Sequence, residues 1–370
     1  MRALRQPHSP RGAGAAFYLL LRAVPNLVSA AATLGVYERV VAWQRVHGRH
    51  HLPWQQRRTP YRVWLSEVML QQTQVNTVVQ YFDRFTQQLP TVQALAAASL
   101  DEVLQLWAGL GYYRRARLLH ACAQVVVHEH GGEFPRQWQA LAALPGIGRS
   151  TAAAIASVCF EQPVSILDGN VLRVLGRYWA VDDDVKSAAV QRRMWQDAQN
   201  LLPAQTPHMP TYTQGLMDLG ALVCTRTKPR CQACPLRTDC KAYAHGQPEA
   251  WPVRRAPPPK TEQHWWLLLA TQGSRIWLQR RPEGGIWGGL WAPPVFTAQA
   301  LCAQAAGACQ AQHEWPGPSV VHDLTHRRLH LQPLWLEDAR HAPGGDGQWF
   351  ERQALPGMPA PIKRLLLGLA

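Results

Sequence analysis

From Tyr37 to about Tyr243, apolar side chains return every three to four residues among Gln, Arg and Ala, and β-branched runs are scarce. That period turns one face of each segment toward a core, so the pattern predicts an all-α region. Between Pro248 and Lys260 the chain reads Pro-Glu-Ala-Trp-Pro-Val-Arg-Arg-Ala-Pro-Pro-Pro-Lys, a composition suited to extended backbone; a linker is expected over 248–262. Beyond it, strand-like runs at 265–270, 276–279 and 329–336 are separated by Gly and Pro, with one helical stretch near 297–306. The expected organisation is an extension over 1–36, a helical domain over 37–247, the linker, and an α+β domain over 263–370. No repeat of fixed period is present.

The chain has 370 residues, 47% of them hydrophobic, enough to bury two cores. With 38 Lys and Arg against 24 Asp and Glu, the net charge is +14. A field of that sign attracts polyanions, which makes nucleic acid the first partner to consider. The chain lacks an uninterrupted apolar run of the length a bilayer requires, so no membrane span is expected. Residues 1–36 carry Arg2, Arg5, Arg11 and Arg22 with no acid, around an apolar stretch from Phe17 to Leu21. A targeting peptide fits that description, but Arg22 and Pro25 interrupt the apolar run, and a disordered basic arm is the favoured expectation.

Four of the 8 cysteines crowd into one loop, Cys224, Cys231, Cys234 and Cys240, spaced C-x6-C-x2-C-x5-C. Clustering of this kind favours a metal centre in a reducing, cytoplasmic compartment over disulfides. Thiolates suit either zinc or an iron–sulfur cluster, although the spacing departs from the paired C-x2-C arrangement common at zinc. Arg226, Lys228 and Arg230 inside the loop are either phosphate contacts or a solvated turn.

Leu144-Pro145-Gly146-Ile147-Gly148 lies between two helical patterns. Gly146 and Gly148 remove side chains where a phosphate could meet backbone N–H groups at a helix N-terminus, though such a turn is also common without a ligand. Asp168 precedes the helical pattern from Val171 to Tyr178 and should cap it, which would hold the carboxylate in place and keep it ionised. Glu67 stands among Trp64, Leu65, Val68, Met69 and Leu70. In that apolar setting a carboxyl should have a raised pKa, as a general acid requires, but a surface or capping role is equally open. The polar run Gln71-Gln72-Thr73-Gln74 breaks the stripe. It is either a gap between helices with Thr73 as N-cap, or a set of side chains that enters a duplex when a base is flipped out.

Taken together, these motifs resemble those of the helix–hairpin–helix DNA glycosylases related to endonuclease III. The segment Pro60-Tyr61-Arg62-Val63-Trp64-Leu65-Ser66-Glu67-Val68-Met69-Leu70-Gln71-Gln72-Thr73-Gln74-Val75, with Leu52-Pro53-Trp54 before it and Gly109-Leu110-Gly111-Tyr112-Tyr113-Arg114-Arg115-Ala116-Arg117 after it, is similar to MutY-type adenine glycosylases. The resemblance implies an all-α helix–hairpin–helix glycosylase domain whose cysteine loop holds a [4Fe–4S] cluster. It implies that Glu67 protonates adenine at N7, that Asp168 stabilises the cationic sugar, and that Asn170 supports the site. Gln72 and Tyr112 would be wedges, with Thr73, Gly146, Gly148 and Ser150 at the DNA and Gln214 near the catalytic water. Such a protein acts as a monomer on double-stranded DNA with A:8-oxoguanine or A:G mispairs.

Gly284-Gly285-Ile286-Trp287-Gly288-Gly289-Leu290-Trp291 is similar to the start of a Nudix hydrolase domain, yet no Asp or Glu occurs from Gly284 to His313. Without carboxylates to hold a divalent ion, a Nudix-like recognition domain is expected instead of a pyrophosphatase. By the resemblance it would read 8-oxoguanine, with Thr325 and His326 at a position where relatives carry Phe-Ser-His and this chain has Leu324-Thr325-His326. A non-catalytic DNA-binding protein and a nucleotide hydrolase are the competing classes. Lyase relatives use a Schiff-base lysine just after the hairpin, at the position of Ser150. Ser150→Lys is therefore expected to introduce covalent complexes with abasic DNA that borohydride traps; no trapped complex would show that this position does not set the chemistry.

Overall fold

The computed structural model describes residues 34–253, 255 and 258–368. Most of the expected N-terminal extension, residues 1–33, lies outside them. The helices run α1 Val36–His47, α2 Pro53–Gln56, α3 Pro60–Leu70, α4 Val75–Gln88, α5 Val92–Ala97, α6 Leu100–Trp107, α7 Arg114–His130, α8 Trp138–Ala143, α9 Arg149–Phe160, α10 Gly169–Tyr178, α11 Ala188–Gln199, α12 Met209–Leu222 and α13 Lys241–Ala244. Their boundaries have local causes. Thr59 Oγ1 accepts from Arg62 N at 3.3 Å ahead of Pro60, which needs no donor partner at the first helical position. Ser99 and Glu102 cap α6 reciprocally, and Gly131 ends α7 in the left-handed region at φ 62°.

The break after α3 is present, but Thr73 does not cap the next helix. Helix α4 begins at Val75 with Gln74 at its N-cap, and Thr73 Oγ1 instead accepts a hydrogen bond from Arg115 Nη2 at 3.2 Å. A buried guanidinium is a stronger claimant for that oxygen than a backbone amide.

The described residues of Met1–Gly48 with Leu167–Val253 form one compact unit, and those of Arg49–Ile166 with Arg254–Ala370 form another. In the first, α12 packs against α1 and α10. A Cβ at Gly220 of α12 would stand 2.7 Å from Asn170 Cβ, so only glycine allows this approach. Residues 248–253, expected in the linker, are docked here. Trp251 O accepts from Arg177 Nε at 2.9 Å, Trp251 Nε1 donates to Asp182 at 3.0 Å, and Val185 N donates to Val253 O at 3.3 Å. Apolar Trp251 and partner-seeking backbone outweigh the extended preference of the prolines around them.

In the second unit, α3 packs against α9, α4 and α7 around Trp64, Phe82, Phe85 and Trp107. Its C-terminal part is an α+β fold of β1 Thr261–Gln272, β2 Arg275–Arg280, β3 Trp291–Ala292, β4 Val295–Phe296, α14 Gln299–Cys309, β5 His313–Pro316, β6 Val320–Asp323, β7 Arg327–Glu337, β8 Gly347–Glu351 and α15 Ala360–Leu366. The sheet order is β3-β2-β1-β7-β5, with β4 on β1, β6 on β7 and β8 on β2; β1 and β7 are parallel and the other pairs antiparallel. Central strand β1 is buried on both faces. Trp265, Leu267 and Leu269 pack toward α15, while Leu268 and Ala270 pack toward Cys302, Ala306 and Cys309 of α14.

The glycine-rich segment before β3 is a docking loop. Leu290 is fully buried in the core formed by residues 52–164, Arg117 donates to Gly288 O, and Tyr113 Oη donates to Met358 O at 3.0 Å. Among the described residues no helix is long and apolar enough to cross a membrane.

Candidate active site

Helix α3 is buried almost all round, with Trp64, Leu65, Ser66, Val68 and Met69 enclosed and Glu67 half-buried among them. Glu67 lies on the last turn of this helix. Immediately after it, Gln72 is exposed with φ 59°, and on the separate turn before α7, Tyr112 is half-exposed with φ 48°. Left-handed backbone at a glutamine and a tyrosine is strained and persists only where surroundings enforce it.

The enforcing residue is Arg115, at the start of α7 and 9% exposed. Its Nη1 donates to Val68 O, Met69 O and Gln71 O at 2.8, 2.9 and 2.6 Å. Its Nη2 donates to Thr73 Oγ1, Leu110 O and Gly111 O at 3.2, 3.3 and 3.2 Å. The guanidinium also lies 5.3 Å from the Trp107 ring centre and 5.5 Å from that of Tyr112. Burial draws its pKa down to about 10.

The hairpin joins α8 to α9. Gly146 has φ 73°, and a Cβ there would meet Leu118 at 2.7 Å, so the fold itself demands glycine. Gly148, the N-cap of α9, has ordinary φ and open space where a Cβ would be. Its bare backbone at a helix N-terminus suits an approaching anion rather than a neighbouring side chain. Ser150 Oγ on the first turn is buried with no hydrogen-bond partner among the described residues.

In the first unit Asp168 caps α10 as expected. Oδ1 accepts from Asn170 N at 3.1 Å and Val171 N at 2.7 Å, and Oδ2 accepts from Asn170 Nδ2 at 3.2 Å. The expectation that capping dominates its ionisation is corrected: burial pushes this carboxyl up from the ordinary aspartate range, and the cap bonds with nearby Arg173 offset only part of that. Arg173 was not singled out by any motif. Its Nη2 donates to Asn170 Oδ1 at 2.9 Å and Gly220 O at 2.8 Å, and its Nε donates to Cys224 O at 2.7 Å. Asn170 is thus held between Asp168 and a side chain anchored on the cysteine loop.

Cys224, Cys231, Cys234 and Cys240 all line one small pocket, walled by Val174, Val223 and Leu236. Arg177 Nη1 donates to Cys224 Sγ at 3.3 Å. Burial pushes the Cys234 thiol up to about 12, and the other three cysteines oppose its ionisation. Among the described residues no group of three or more His, Cys, Asp or Glu is arranged to hold a metal ion. Of the loop's bases, Arg230 donates to Leu222 O at the end of α12, whereas Arg226 and Lys228 are exposed.

Gln214 is buried on α12, where its amide donates to fully buried Asp218 at 2.8 Å. Asp218 carries no local sequence signal beyond its spacing of four from Gln214. Thr325 and His326 are exposed on the β6–β7 turn, and Leu324 packs into the C-terminal core. The structure therefore joins Gln72, Thr73 and Tyr112 through Arg115, joins Asp168 with Asn170, and gathers the four cysteines; Glu67 belongs to one compact unit and Asp168 to the other.

Residues 65–199 match the family model of the HhH-GPD superfamily base excision DNA repair proteins, and residues 264–368 match the NUDIX domain. The chain is 35% identical over 309 residues to the adenine DNA glycosylase of Buchnera aphidicola subsp. Baizongia pistaciae (strain Bp), covering 82% of this chain and 86% of that one. It is 36% identical over 371 residues to the adenine DNA glycosylase of Rattus norvegicus, covering 83% and 71% respectively. Among solved structures, a thermostable thymine-DNA glycosylase shares the fold with a TM-score of 0.52 at 24% identity, over 60% of this chain and 99% of that one.

An acid whose folded-state pKa lies above its unfolded value destabilises the fold as pH rises between the two. Asp168→Asn keeps an oxygen for the cap and removes the charge. It is expected to raise Tm by about 2–4 °C at neutral pH, an advantage that shrinks as pH falls into the aspartate range. A Tm several degrees lower in a pH-scanned melt would show that the cap bonds outweigh burial.

Proposed function

This chain belongs to the adenine DNA glycosylase family, is a base-excision-repair N-glycosylase, and we propose that it hydrolyses adenine from A:8-oxoguanine and A:G mispairs without cutting the strand. Glu67 donates a proton to adenine N7, turning a poor anionic leaving group into a neutral one. Asp168, ionised, faces the positive charge that develops on the sugar, and Asn170 holds its second oxygen. A water then adds to the sugar carbon, its proton passing to solvent, and the products are free adenine and an abasic site. Two carboxyls in unlike surroundings divide acid and electrostatic tasks in this way. With Ser150 at the lysine position no amine is supplied there for Schiff-base formation, which supports the monofunctional reading.

The observation that carries this reading is a half-buried carboxyl, Glu67, on a helix that runs directly into the strained, exposed Gln72 turn. Gln72 and Tyr112 would occupy the space a flipped nucleotide leaves, with Thr73 beside them and the Gly146–Gly148 hairpin and Ser150 on the backbone. Gln214, paired with Asp218, would position the attacking water through that pair. Thr325 and His326 would read the lesion by hydrogen bonding. With Leu324 packed into the core, no aromatic stack at that position supports the recognition.

Four thiols lining one pocket are a donor set that fits a [4Fe–4S] cluster, which Cys224, Cys231, Cys234 and Cys240 would hold, with Arg177 donating to one sulfur. Bound there, it would supply iron–thiolate bonds that close the loop on itself, while Arg177 of α10 holds the loop through Cys224, Thr225 and Arg226.

Glu67→Gln is expected to bind duplexes normally and to lose at least about 100-fold in single-turnover adenine release. Wild-type protein should act on adenine opposite 8-oxoguanine and G and leave adenine opposite C intact; near-normal excision by the variant would remove Glu67 from its role. Purified protein should show a broad visible absorption band that disappears with Cys234→Ser. A colourless, zinc-containing protein would replace the cluster reading.

A further inference from the structure

We propose that Arg115 is a positioning residue that locks the Gln72 and Tyr112 turns into one unit, so that both enter the duplex together when the adenine is extruded. The inference rests on the reading of Gln72 and Tyr112 as wedges. Four features of the structure support it. The two terminal nitrogens of Arg115 divide their work: Nη1 serves Val68, Met69 and Gln71 on the Gln72 side, and Nη2 reaches Thr73 and then Leu110 and Gly111 on the Tyr112 side. The carbonyls of Val68 and Met69 are among the last of α3, which helix geometry leaves without partners, so the guanidinium also caps the helix that carries Glu67. Both wedge candidates sit in left-handed backbone, at φ 59° and 48°, flanking these acceptors. Finally, the Arg115 guanidinium lies against the Tyr112 ring itself, at 5.5 Å.

A planar fork is needed for this task. Lysine offers three donors on one atom against four on two separated terminal nitrogens, too few and too closely placed for the six acceptors here, and a buried ammonium loses its proton more readily than a guanidinium. Burial, opposed by Tyr112, already draws Arg115 down to about 10. A residue that merely stabilised the fold would lower activity on every substrate alike. One that sets the wedges acts on the extrusion step, and its loss is felt less where the adenine is already loosely stacked.

Single-turnover excision is therefore measured for one A:8-oxoguanine pair in two settings, an intact duplex and the same pair flanked on each side by unpaired bases. The ratio of the two rates reports extrusion. Gln72→Ala and Tyr112→Ala establish the wedge reading; if neither lowers the ratio, that reading fails whatever Arg115 does. Given a wedge, Arg115→Lys is expected to lower the ratio by about 10- to 100-fold while excision from the loosened substrate stays within about threefold of wild type. An unchanged ratio, whether both rates fall together or neither does, overturns the proposal. Should Arg115→Lys not fold, Thr73→Val, which removes one acceptor, decides the matter. It is expected to lower the ratio several-fold and Thr73→Ser to restore it, and no change in Thr73→Val overturns the proposal equally.

Discussion

A guanidinium shut away from water looks for its acceptors in the protein, and the two terminal nitrogens of Arg115 find five carbonyls and one hydroxyl, while its Nε has no partner among the described residues. Those carbonyls belong to the end of α3 and to two irregular turns, places where backbone groups otherwise lack partners. Leaving such a buried group unmet costs about 1–3 kcal/mol, so each turn is tied to the same cation by an energy comparable to the strain of a left-handed residue. The Gln72 and Tyr112 turns therefore share one anchor.

Asp168 is governed by the opposite balance. Its cap bonds are short and well directed, yet burial outweighs them, and the charged carboxylate is a net cost to the fold. Stabilising a cationic sugar calls for such a carboxylate, held in place and poorly solvated before substrate arrives. Asn170 and Arg173 keep it oriented, and Arg173 reaches onward to the carbonyl of Cys224. The cysteine loop and the aspartate are consequently parts of one hydrogen-bonded framework within their compact unit.

In the C-terminal domain the glycine-rich run serves as a docking loop. Its glycine-rich run lacks the acids that would hold a metal. Leu290 is inserted among the helices instead, Trp287 packs against Trp265 at 5.5 Å, and Gly288 O accepts from Arg117. Tyr113, next to the Tyr112 turn, donates to Met358 of the same domain. The domain that carries Thr325 and His326 is thereby fastened to the helix that carries Arg115.

What the sequence determined by itself is local. The helical period, the strands, the hairpin glycines, the Asp168 cap and the cysteine spacing each depend on residues within about a turn or a loop of one another, where backbone geometry dictates the outcome. Tertiary structure alone decided the rest. Arg115 meets Gln71 across 44 positions, Arg173 meets Cys224 across 51, and Arg117 meets Gly288 across 171. Thr73 looked like a cap until a buried cation claimed its oxygen, residues 248–253 looked unpacked until Trp251 found α10, and the cap looked like the main influence on the Asp168 carboxyl until burial was counted. In each case the local preference was real but small, and the energy of satisfying or desolvating a distant buried group was larger.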